Sequence, residues 1–263
     1  MVATIRTMLL AAALAFTIAA APAEPAKVQL WRIDCGDFGP NALINSCYLI
    51  RHGDMLMIWD AGFPGEWVGK PLSAETRSTS VPTSLVSQLA RLGITPDRID
   101  MVAVSHLHWD HLGQAASFPK ARLLIGKEDW EALTAPQPAT GLEPERLAPW
   151  IKAGAPMEAI PGDRDVFGDG AVMMVATPGH TLGHHSLLVR LPHFGAVLLS
   201  GDLYHSSDQY REKRISRGNA DQAKTAESMR RFDDLATAEK ATIIIQHESG
   251  DVAKLPVFPK AAD

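Results

Sequence analysis

The chain has 263 residues, which is enough for one large domain with a hydrophobic core. Hydrophobic residues make up 46% of it and charged residues 21%, as in soluble globular proteins, and this composition excludes an intrinsically disordered chain. The net charge of -5 excludes the broad positive field that attracts phosphate backbones, so we expect no nucleic-acid partner. Two cysteines exclude a disulfide-dense scaffold and a four-thiolate zinc site, whereas ten histidines are more than composition requires.

Residues 1–23 have the three-part pattern of a secretory signal peptide. A basic residue, Arg6, is followed by an uncharged apolar stretch and by an Ala-x-Ala site that ends at Ala23. We expect cleavage after Ala23, a single metallo-hydrolase domain over residues 24–263, and a periplasmic or secreted protein with no stable membrane insertion. An uncleaved membrane anchor is the alternative.

Cys35 and Cys47 lie on strands that we predict to be neighbours, so a disulfide between them is geometrically possible. Export to an oxidising compartment would permit that bond. Cysteine also serves commonly as a small buried core residue. We expect two buried thiols here, with the disulfide as the alternative.

The first third of the chain is predicted to form an antiparallel meander, a helix and a buried strand. Ser84 or Thr83 can cap the helix, whose apolar periodicity stops at Gly93. A loop with proline and glycine separates the meander from this helix. The predicted strands cover residues 28–34, 43–51, 55–59 and 101–105, and the loop covers residues 63–80.

The remaining chain alternates apolar strands with helices, which predicts an α/β fold with sheets flanked by helices in an αββα sandwich. Residues 134–156 carry five prolines, which block regular structure and predict an ordered segment on the protein surface. This segment would be either a lid or a contact between two copies of the chain in a homodimer. Strands are predicted over residues 122–125, 171–176, 186–191, 197–200 and 242–246, and helices over residues 127–133 and 219–235.

The strongest motif is an H-x-H-x-D-H cluster that directly follows a buried strand, with His106, His108, Asp110 and His111 as its members. Residues two apart in extended backbone point to the same side, so His106 and His108 can bind one ion. The following turn can direct Asp110 and His111 toward a second ion. Placing three imidazoles and a carboxylate together at one strand end costs little free energy only if a cation lies between them.

Three further candidate ligands lie downstream, each at the end of an apolar strand or in a tight turn: His180, Asp202 and His247. Alone, each has a simpler interpretation, such as a turn residue for His180 or a helix cap for Asp202. Their joint placement favours a role as metal ligands, because open α/β sheets bind ligands beyond the carboxyl ends of their strands.

This order of seven residues, with Asp60 ahead of them, resembles the metallo-β-lactamase superfamily over nearly the whole chain after residue 23. Residues 177–186 and 198–202 are most similar to the N-acyl homoserine lactonases, which carry two metal ions. The resemblance implies that Asp202 bridges the ions and that Asp60 hydrogen-bonds a ligand histidine, with a turn cap as the alternative role of Asp60. It assigns one ion to His106, His108 and His180, and the other to Asp110, His111 and His247. His184 and His185 would lie in a loop or behind the ligands.

The resemblance implies two divalent ions and the hydrolysis of a lactone, as in quorum quenching, or of a related carboxylic ester. Zinc fits nitrogen and oxygen ligands best, while manganese, iron and cobalt remain open. Two adjacent cations lower the pKa of a shared water, so that hydroxide attacks the substrate carbonyl. By the same resemblance Asp110 would pass a proton to the leaving group.

A tyrosine that hydrogen-bonds the substrate carbonyl follows the bridging aspartate in the lactonases. We take Tyr204 as the catalytic candidate, although it lies two residues after Asp202 and His205 occupies the third position, where the family tyrosine is expected. The alternative for Tyr204 is a packed ring. Residues 63–67 and the segment with Trp150 are expected to form the substrate walls.

Two other activities remain open, a β-lactam hydrolase and a glyoxalase II-like thioesterase. The first lacks a bridging aspartate at the position of Asp202, and the second needs a helical region for which the stretch after His247 is too short. A non-catalytic binding module would have lost ligands, and all seven are present.

Overall fold

The computed structural model describes residues 27–39 and 43–263, so the predicted signal peptide lies outside the described residues. Across those two ranges, no helix is both long and apolar enough to span a bilayer. The strands are β1 (Val28–Asp37), β2 (Ile44–His52), β3 (Met55–Trp59), β4 (Met101–Ala103), β5 (Arg122–Gly126), β6 (Met157–Ile160), β7 (Arg164–Asp165), β8 (Val172–Ala176), β9 (His185–Leu191), β10 (Gly195–Leu199) and β11 (Thr242–Ile244). The helices are α1 (Leu85–Ala90), α2 (Trp109–Leu112), α3 (Lys127–Leu133), α4 (Ala148–Ile151), α5 (Ser207–Glu212), α6 (Gln222–Glu239) and α7 (Ser249–Val252).

The strands form two mixed sheets. The first has the order β1-β2-β3-β4-β5-β6, antiparallel from β1 to β3 and parallel from β3 to β6. The second has the order β11-β10-β9-β8-β7, antiparallel except for the parallel pair β10 and β11. The predicted αββα sandwich is confirmed.

Alternation along the strands produces the layers, because successive side chains point to opposite faces of a sheet. On β2, Tyr48 and Ile50 join the core between the two sheets, together with Leu187 and Leu199 of the second sheet. Leu49, between them in sequence, faces the helices that cover the first sheet. Helix α6 covers the outer face of the second sheet with Met229, Phe232 and Ala236.

The predicted elements agree with the structure where the periodicity is clear. The bounds of β3 and α3 are those predicted, and Ser84 caps α1 by accepting the backbone N–H of Ser87. The structure corrects the expectation of no regular structure over residues 134–156. This segment contains a 3₁₀ turn, Pro144–Leu147, and helix α4, because Pro144 and Pro149 stand in first turns that need no proline N–H.

Cys35 and Cys47 form a disulfide, so the expectation of two buried thiols was wrong. The two cysteines lie on antiparallel neighbours β1 and β2, and their Cα atoms are 5.9 Å apart, within the range that a disulfide spans. The bridge packs against Gly62, where a Cβ atom would lie 2.6 Å from Sγ of Cys35. The crosslink therefore supports the turn that carries Asp60.

Candidate metal centre

Four chain segments converge at one end of the two sheets. The segment after β4 carries His106 and His108 and then starts α2, which holds Asp110 and His111. The second sheet contributes His180 after β8, Asp202 in the 3₁₀ turn after β10, and His247 after β11. The structure thus brings together all seven residues that the sequence analysis singled out as metal ligands.

The three-histidine group consists of His106, His108 and His180 together with Asp202, and its ligand atoms lie within 4.8 Å of one another. Nδ1 of His108 lies 2.9 Å from Nε2 of His106 and 2.9 Å from Nε2 of His180. Oδ2 of Asp202 lies 3.4 Å from Nε2 of His180. These atoms surround a position that one ion could occupy.

The two-histidine group consists of Asp110, His111 and His247, again with Asp202. Oδ1 of Asp202 lies 2.9 Å from Nε2 of His247 and 3.2 Å from Nε2 of His111. Oδ2 of Asp110 lies 3.5 Å from Nε2 of His111. Asp202 therefore presents one oxygen to each group, which is the arrangement that a bridging carboxylate requires.

Hydrogen bonds on the far side of three rings turn their Nε2 atoms into the site. Nδ1 of His180 donates to Oδ1 of Asn219, and Nδ1 of His247 donates to the carbonyl of Ile44. Nδ1 of His111 likewise bonds outward, to Oδ2 of Asp60, so each of the three rings faces the site with Nε2. Nε2 of His111, Nε2 of His247 and Oδ1 of Asp202 are buried without a hydrogen-bond partner. Ring nitrogens and a carboxylate oxygen that converge in this way without a hydrogen-bond partner are suited to bind divalent metal ions.

The charge states of these groups also favour a metal. Burial lowers the pKa of His106 and His108, and it lowers the pKa of His180 to about 4, so these rings are neutral near pH 7. Burial opposes ionisation of Asp202, but the imidazoles around it hold its pKa well below its usual value. Burial lowers the pKa of His111, but Asp202, Asp110 and Asp60 raise it well above its usual value, so these carboxylates favour a positive charge at this position. A divalent ion would supply that charge in place of the proton. Neutral imidazoles and ionised carboxylates are the forms that bind metal ions.

Asp60 hydrogen-bonds a ligand histidine, as predicted. Its Oδ2 accepts from Nδ1 of His111 at 2.9 Å and from Nε2 of Gln246 at 2.8 Å, and its Oδ1 accepts the backbone N–H of Ser105 at 2.6 Å. Asp60 adopts φ of 58°, a left-handed conformation that costs energy for a residue with a side chain. The three hydrogen bonds compensate for that strain and fix the orientation of His111.

His184 and His185 lie behind the ligands, in agreement with the prediction. Nε2 of His184 accepts the backbone N–H of Asp202 at 2.9 Å and so holds the residue that both groups share. The contact is possible because Gly201 has no side chain and a φ of 55°, and a Cβ atom there would lie 2.5 Å from Nε2 of His184. His185 bonds backbone carbonyls outside the site.

Tyr204 does not reach the site, which corrects its assignment as a catalytic residue. Its side chain is fully buried against Phe232 in the core under α6, and its hydroxyl has no hydrogen-bond partner. The 3₁₀ turn Gly201–Leu203 directs residue 204 inward and residue 205 outward. His205 therefore lines the cavity, with Nε2 3.3 Å from Oδ2 of Asp202.

A cavity of about 320 Å³ opens over the metal ligands, and its apolar lining comes from Phe38, Leu43 and Trp109. The expected walls differ: Phe63 and Trp67 are buried and pack against Trp109 from behind, and Trp150 belongs to the core of the first sheet. Phe38 and Leu43 were not predicted, because no motif in the sequence includes them. Trp109 could have been found, since it stands inside the H-x-H-x-D-H cluster.

Comparisons with known proteins agree with this architecture. An N-acyl homoserine lactonase, AttM, from Rhizobium radiobacter is 32% identical over 179 residues, which cover 66% of this chain and 68% of that protein. A second AttM lactonase, from Rhizobium johnstonii, is 30% identical over 228 residues, which cover 82% and 85% of the two chains.

The fold matches that of a solved N-acyl homoserine lactone hydrolase with N-hexanoyl-L-homoserine bound at its catalytic metal centre. The TM-score is 0.74 at 22% identity, and the match covers 90% of this chain and 100% of the other. A family model for the metallo-β-lactamase superfamily matches residues 40–247 and so ends at the last predicted ligand, His247. The chain therefore belongs to the metallo-β-lactamase superfamily and is a metal-dependent hydrolase.

Proposed function

We propose that this protein uses two divalent ions, with zinc the best fit, to open a lactone of the N-acyl homoserine class or a related carboxylic ester. One observation carries the two-metal proposal: Asp202 presents Oδ2 to the three-histidine group and Oδ1 to the two-histidine group. The lactonase relatives support the substrate class. When bound, two such ions supply a nucleophilic oxygen from water near neutral pH and polarise the substrate carbonyl.

The residues of the chain would divide the remaining tasks. Asp110 lies at the cavity, and the surrounding imidazoles hold its pKa below its usual value against the effect of burial. It is therefore ionised, so it can accept the proton that the attacking water gives up and pass it to the departing alkoxide. His205 also lines the cavity, and Oε1 of Gln209 accepts both its backbone N–H and its Nδ1–H. Burial lowers the pKa of His205, but Asp202 raises it above its usual value, which favours the protonated ring with Nε2–H as a donor. We assign this donor the hydrogen bond to the substrate carbonyl that the resemblance had given to Tyr204.

The cavity walls suit a substrate with an apolar tail. Trp109, Phe38 and Leu43 cover one side, and Phe63 and Trp67 hold the indole of Trp109 in place. An acyl chain that lies along this wall would bury apolar surface worth about 25 cal/mol per Å². The polar ring of the substrate would then face the carboxylates and imidazoles.

We also propose that the protein is exported. Residues 1–23 have the pattern of a cleavable signal peptide. The disulfide between Cys35 and Cys47 supports this, because such bonds persist in oxidising compartments. Mass determination of the protein secreted from its host would test cleavage after Ala23.

The deciding experiment is turnover by metal-loaded protein against N-acyl homoserine lactones, β-lactams and lactoylglutathione. We expect ring opening of the lactones, measured as acid release, and none by an Asp202→Ala control prepared in parallel, which excludes a contaminating lactonase. Hydrolysis of β-lactams with no turnover of lactones would overturn the proposed substrate class. Turnover of lactoylglutathione alone would favour the thioesterase.

A further inference from the structure

Asp129 is a buried carboxylate that belongs to neither group of metal ligands. It lies in the first turn of α3, and its side chain is 1% exposed. Its hydrogen-bond partners carry no charge, so no cation compensates its burial through these contacts. A carboxylate in this environment costs folding energy, and its contacts therefore deserve a functional explanation.

Both oxygens of Asp129 accept hydrogen bonds from the segments that carry the three-histidine group. Oδ2 accepts the backbone N–H of Leu107 at 3.0 Å and the hydroxyl of Thr181 at 2.7 Å. Oδ1 accepts the backbone N–H of Gly183 at 2.8 Å. Leu107 stands between His106 and His108, and Thr181 follows His180.

Two glycines allow α3 to approach the turn after His180 closely enough for these bonds. A Cβ atom on Gly183 would lie 2.8 Å from Oδ1 of Asp129, and one on Gly126 would lie 1.8 Å from the carbonyl oxygen of Gly183. No side chain fits at either position without displacing backbone. The packing of α3 thus places a carboxylate where it can join two segments from different sheets.

The two-histidine group is held by other contacts. Asp60 orients His111, the carbonyl of Ile44 orients His247, and Nδ2 of Asn45 donates to the backbone carbonyl of Asp110. None of the three bonds to Asp129 is made by Asp110, His111 or His247 or by a residue next to them in sequence, and the nearest donor is Leu107, three residues before Asp110. A change at Asp129 should therefore affect the two groups unequally.

We propose that Asp129 is a positioning residue whose carboxylate ties residues 106–108 to the turn after His180 and thereby sets the metal affinity of the three-histidine group. This inference rests on the proposed two-metal function. Asp129 touches neither the ions nor the substrate, and it acts through the backbone of Leu107 and Gly183. Asp129→Asn tests it, because an amide of the same shape places N–H groups against donors on at least one side.

The measurement is metal binding rather than turnover. Titration of chelator-treated protein with Zn²⁺, followed by elemental analysis, counts the ions and gives their affinities. We expect two ions in the unchanged protein and, in Asp129→Asn, one ion bound about tenfold or more weakly while the other changes less than about twofold. Glu128→Gln removes an exposed charge from the same turn of α3 and serves as the matched control, with both affinities unchanged.

Two further variants identify which ion is affected. In a His247→Asn background, where the two-histidine group is incomplete, adding Asp129→Asn should weaken the remaining ion about tenfold or more. In a His180→Asn background it should have no additional effect. If Asp129→Asn lowers the affinity of the remaining ion equally in both backgrounds, the inference is overturned, since the residue would then have a general structural role.

The outcomes separate this inference from the proposed function. Fewer than two ions in the unchanged protein would contradict the two-metal proposal, whereas two ions in both the unchanged protein and Asp129→Asn at equal affinities would overturn only the role of Asp129. If Asp129→Asn does not fold, Thr181→Val removes one of the three bonds and leaves the carboxylate. It should weaken the same ion about threefold, and no change would overturn the inference.

Discussion

Asp60 and His111 are joined by a 2.9 Å hydrogen bond between Oδ2 and Nδ1, and both side chains are completely buried. The bond turns Nε2 of His111 toward the site. Because Asp60 also accepts from Ser105 and Gln246, its carboxylate links the ends of β3, β4 and β11.

Asp60→Asn should lower metal affinity about 10- to 100-fold, because an amide cannot accept all three hydrogen bonds and leaves His111 free to change its tautomer. Competition with a chromophoric chelator measures the loss. Asp97→Asn, at an exposed position in a salt bridge with Lys120, is the control and should bind metal as the unchanged protein does. Equal affinities in both variants would contradict the role of Asp60.

Asp202→Ala should remove both carboxylate oxygens, Oδ2 facing the three-histidine group and Oδ1 facing the two-histidine group. We expect the metal content to fall from about two ions per chain to fewer than one and lactone hydrolysis to be abolished. Elemental analysis of the purified variant measures this content. An unchanged stoichiometry of two would show that each group binds its ion without Asp202, and the bridging assignment would be wrong.

His205 and Tyr204 are adjacent in sequence but should respond oppositely to substitution. His205→Ala should lower kcat/KM for a lactone about 10- to 100-fold with metal content unchanged, since it removes a hydrogen bond worth about 1.5–3 kcal/mol. Steady-state kinetics alongside elemental analysis provides the check. Full activity in His205→Ala would contradict the proposed hydrogen bond between His205 and the substrate.

Tyr204→Phe removes a buried hydroxyl that has no partner. We expect unchanged kinetics and a free energy of unfolding equal to that of the unchanged protein or about 1 kcal/mol higher, because an unpaired buried hydroxyl costs desolvation. Urea unfolding measures the second quantity. A loss of kcat in this variant would restore Tyr204 as a catalytic candidate.

Replacing Cys35 and Cys47 together by alanine should lower the free energy of unfolding by about 3 kcal/mol, because the bond closes a loop between residues 12 apart in sequence. Urea unfolding with and without reductant tests this expectation. Reductant should destabilise the unchanged protein and have no effect on the double variant. Identical sensitivity in the two proteins would argue against the disulfide.

Stability of the metal-free protein should depend on pH through Asp129. Burial raises the pKa of Asp129 from 3.8 to about 6, against three hydrogen bonds that lower it, and Glu128 adds a smaller increase. The folded state therefore binds this proton more tightly, so the contribution of Asp129 to stability is complete below about pH 4 and is lost as the pH rises through 6. A shift of about two pH units corresponds to about 3 kcal/mol.

The comparison with Asp129→Asn isolates this contribution, since other titrating groups are common to both proteins. The free energy of unfolding of the unchanged protein minus that of the variant should fall by about 3 kcal/mol between about pH 4 and pH 7. Urea unfolding at four pH values after chelation measures it. Parallel pH profiles would show that the folded environment does not raise this pKa.

The sequence predicts those elements whose apolar pattern is typical of either a strand or a helix. A continuous apolar run after the turn at residues 52–54 placed β3 at its observed bounds, and the ligand motif predicted where the chemistry lies. Asp129 could not be predicted, because acidic residues in the first turn of a helix are typical of solvent-exposed positions, and Glu128 beside it is such a residue. The contact of α3 with Gly183, which the sequence does not reveal, is what makes Asp129 buried while Glu128 stays exposed.

Tyr204 shows a second limit of the sequence. A shift of one residue after Asp202 moves a side chain from the cavity to the core, and the 3₁₀ turn that decides between them has no periodic signature in three residues. Strand β6 was missed because its four residues include Glu158 and Ala159, which have low strand propensity.

Each group of ligands draws two residues from each sheet: His106 and His108, or Asp110 and His111, from the first, and Asp202 with His180 or His247 from the second. A partly folded chain with only one sheet in place would therefore offer half a coordination set. If the protein binds two ions as proposed, metal binding and docking of the two sheets would be thermodynamically coupled, and each ion would crosslink the sheets. Starvation for metal would then threaten the persistence of the folded protein as well as its turnover.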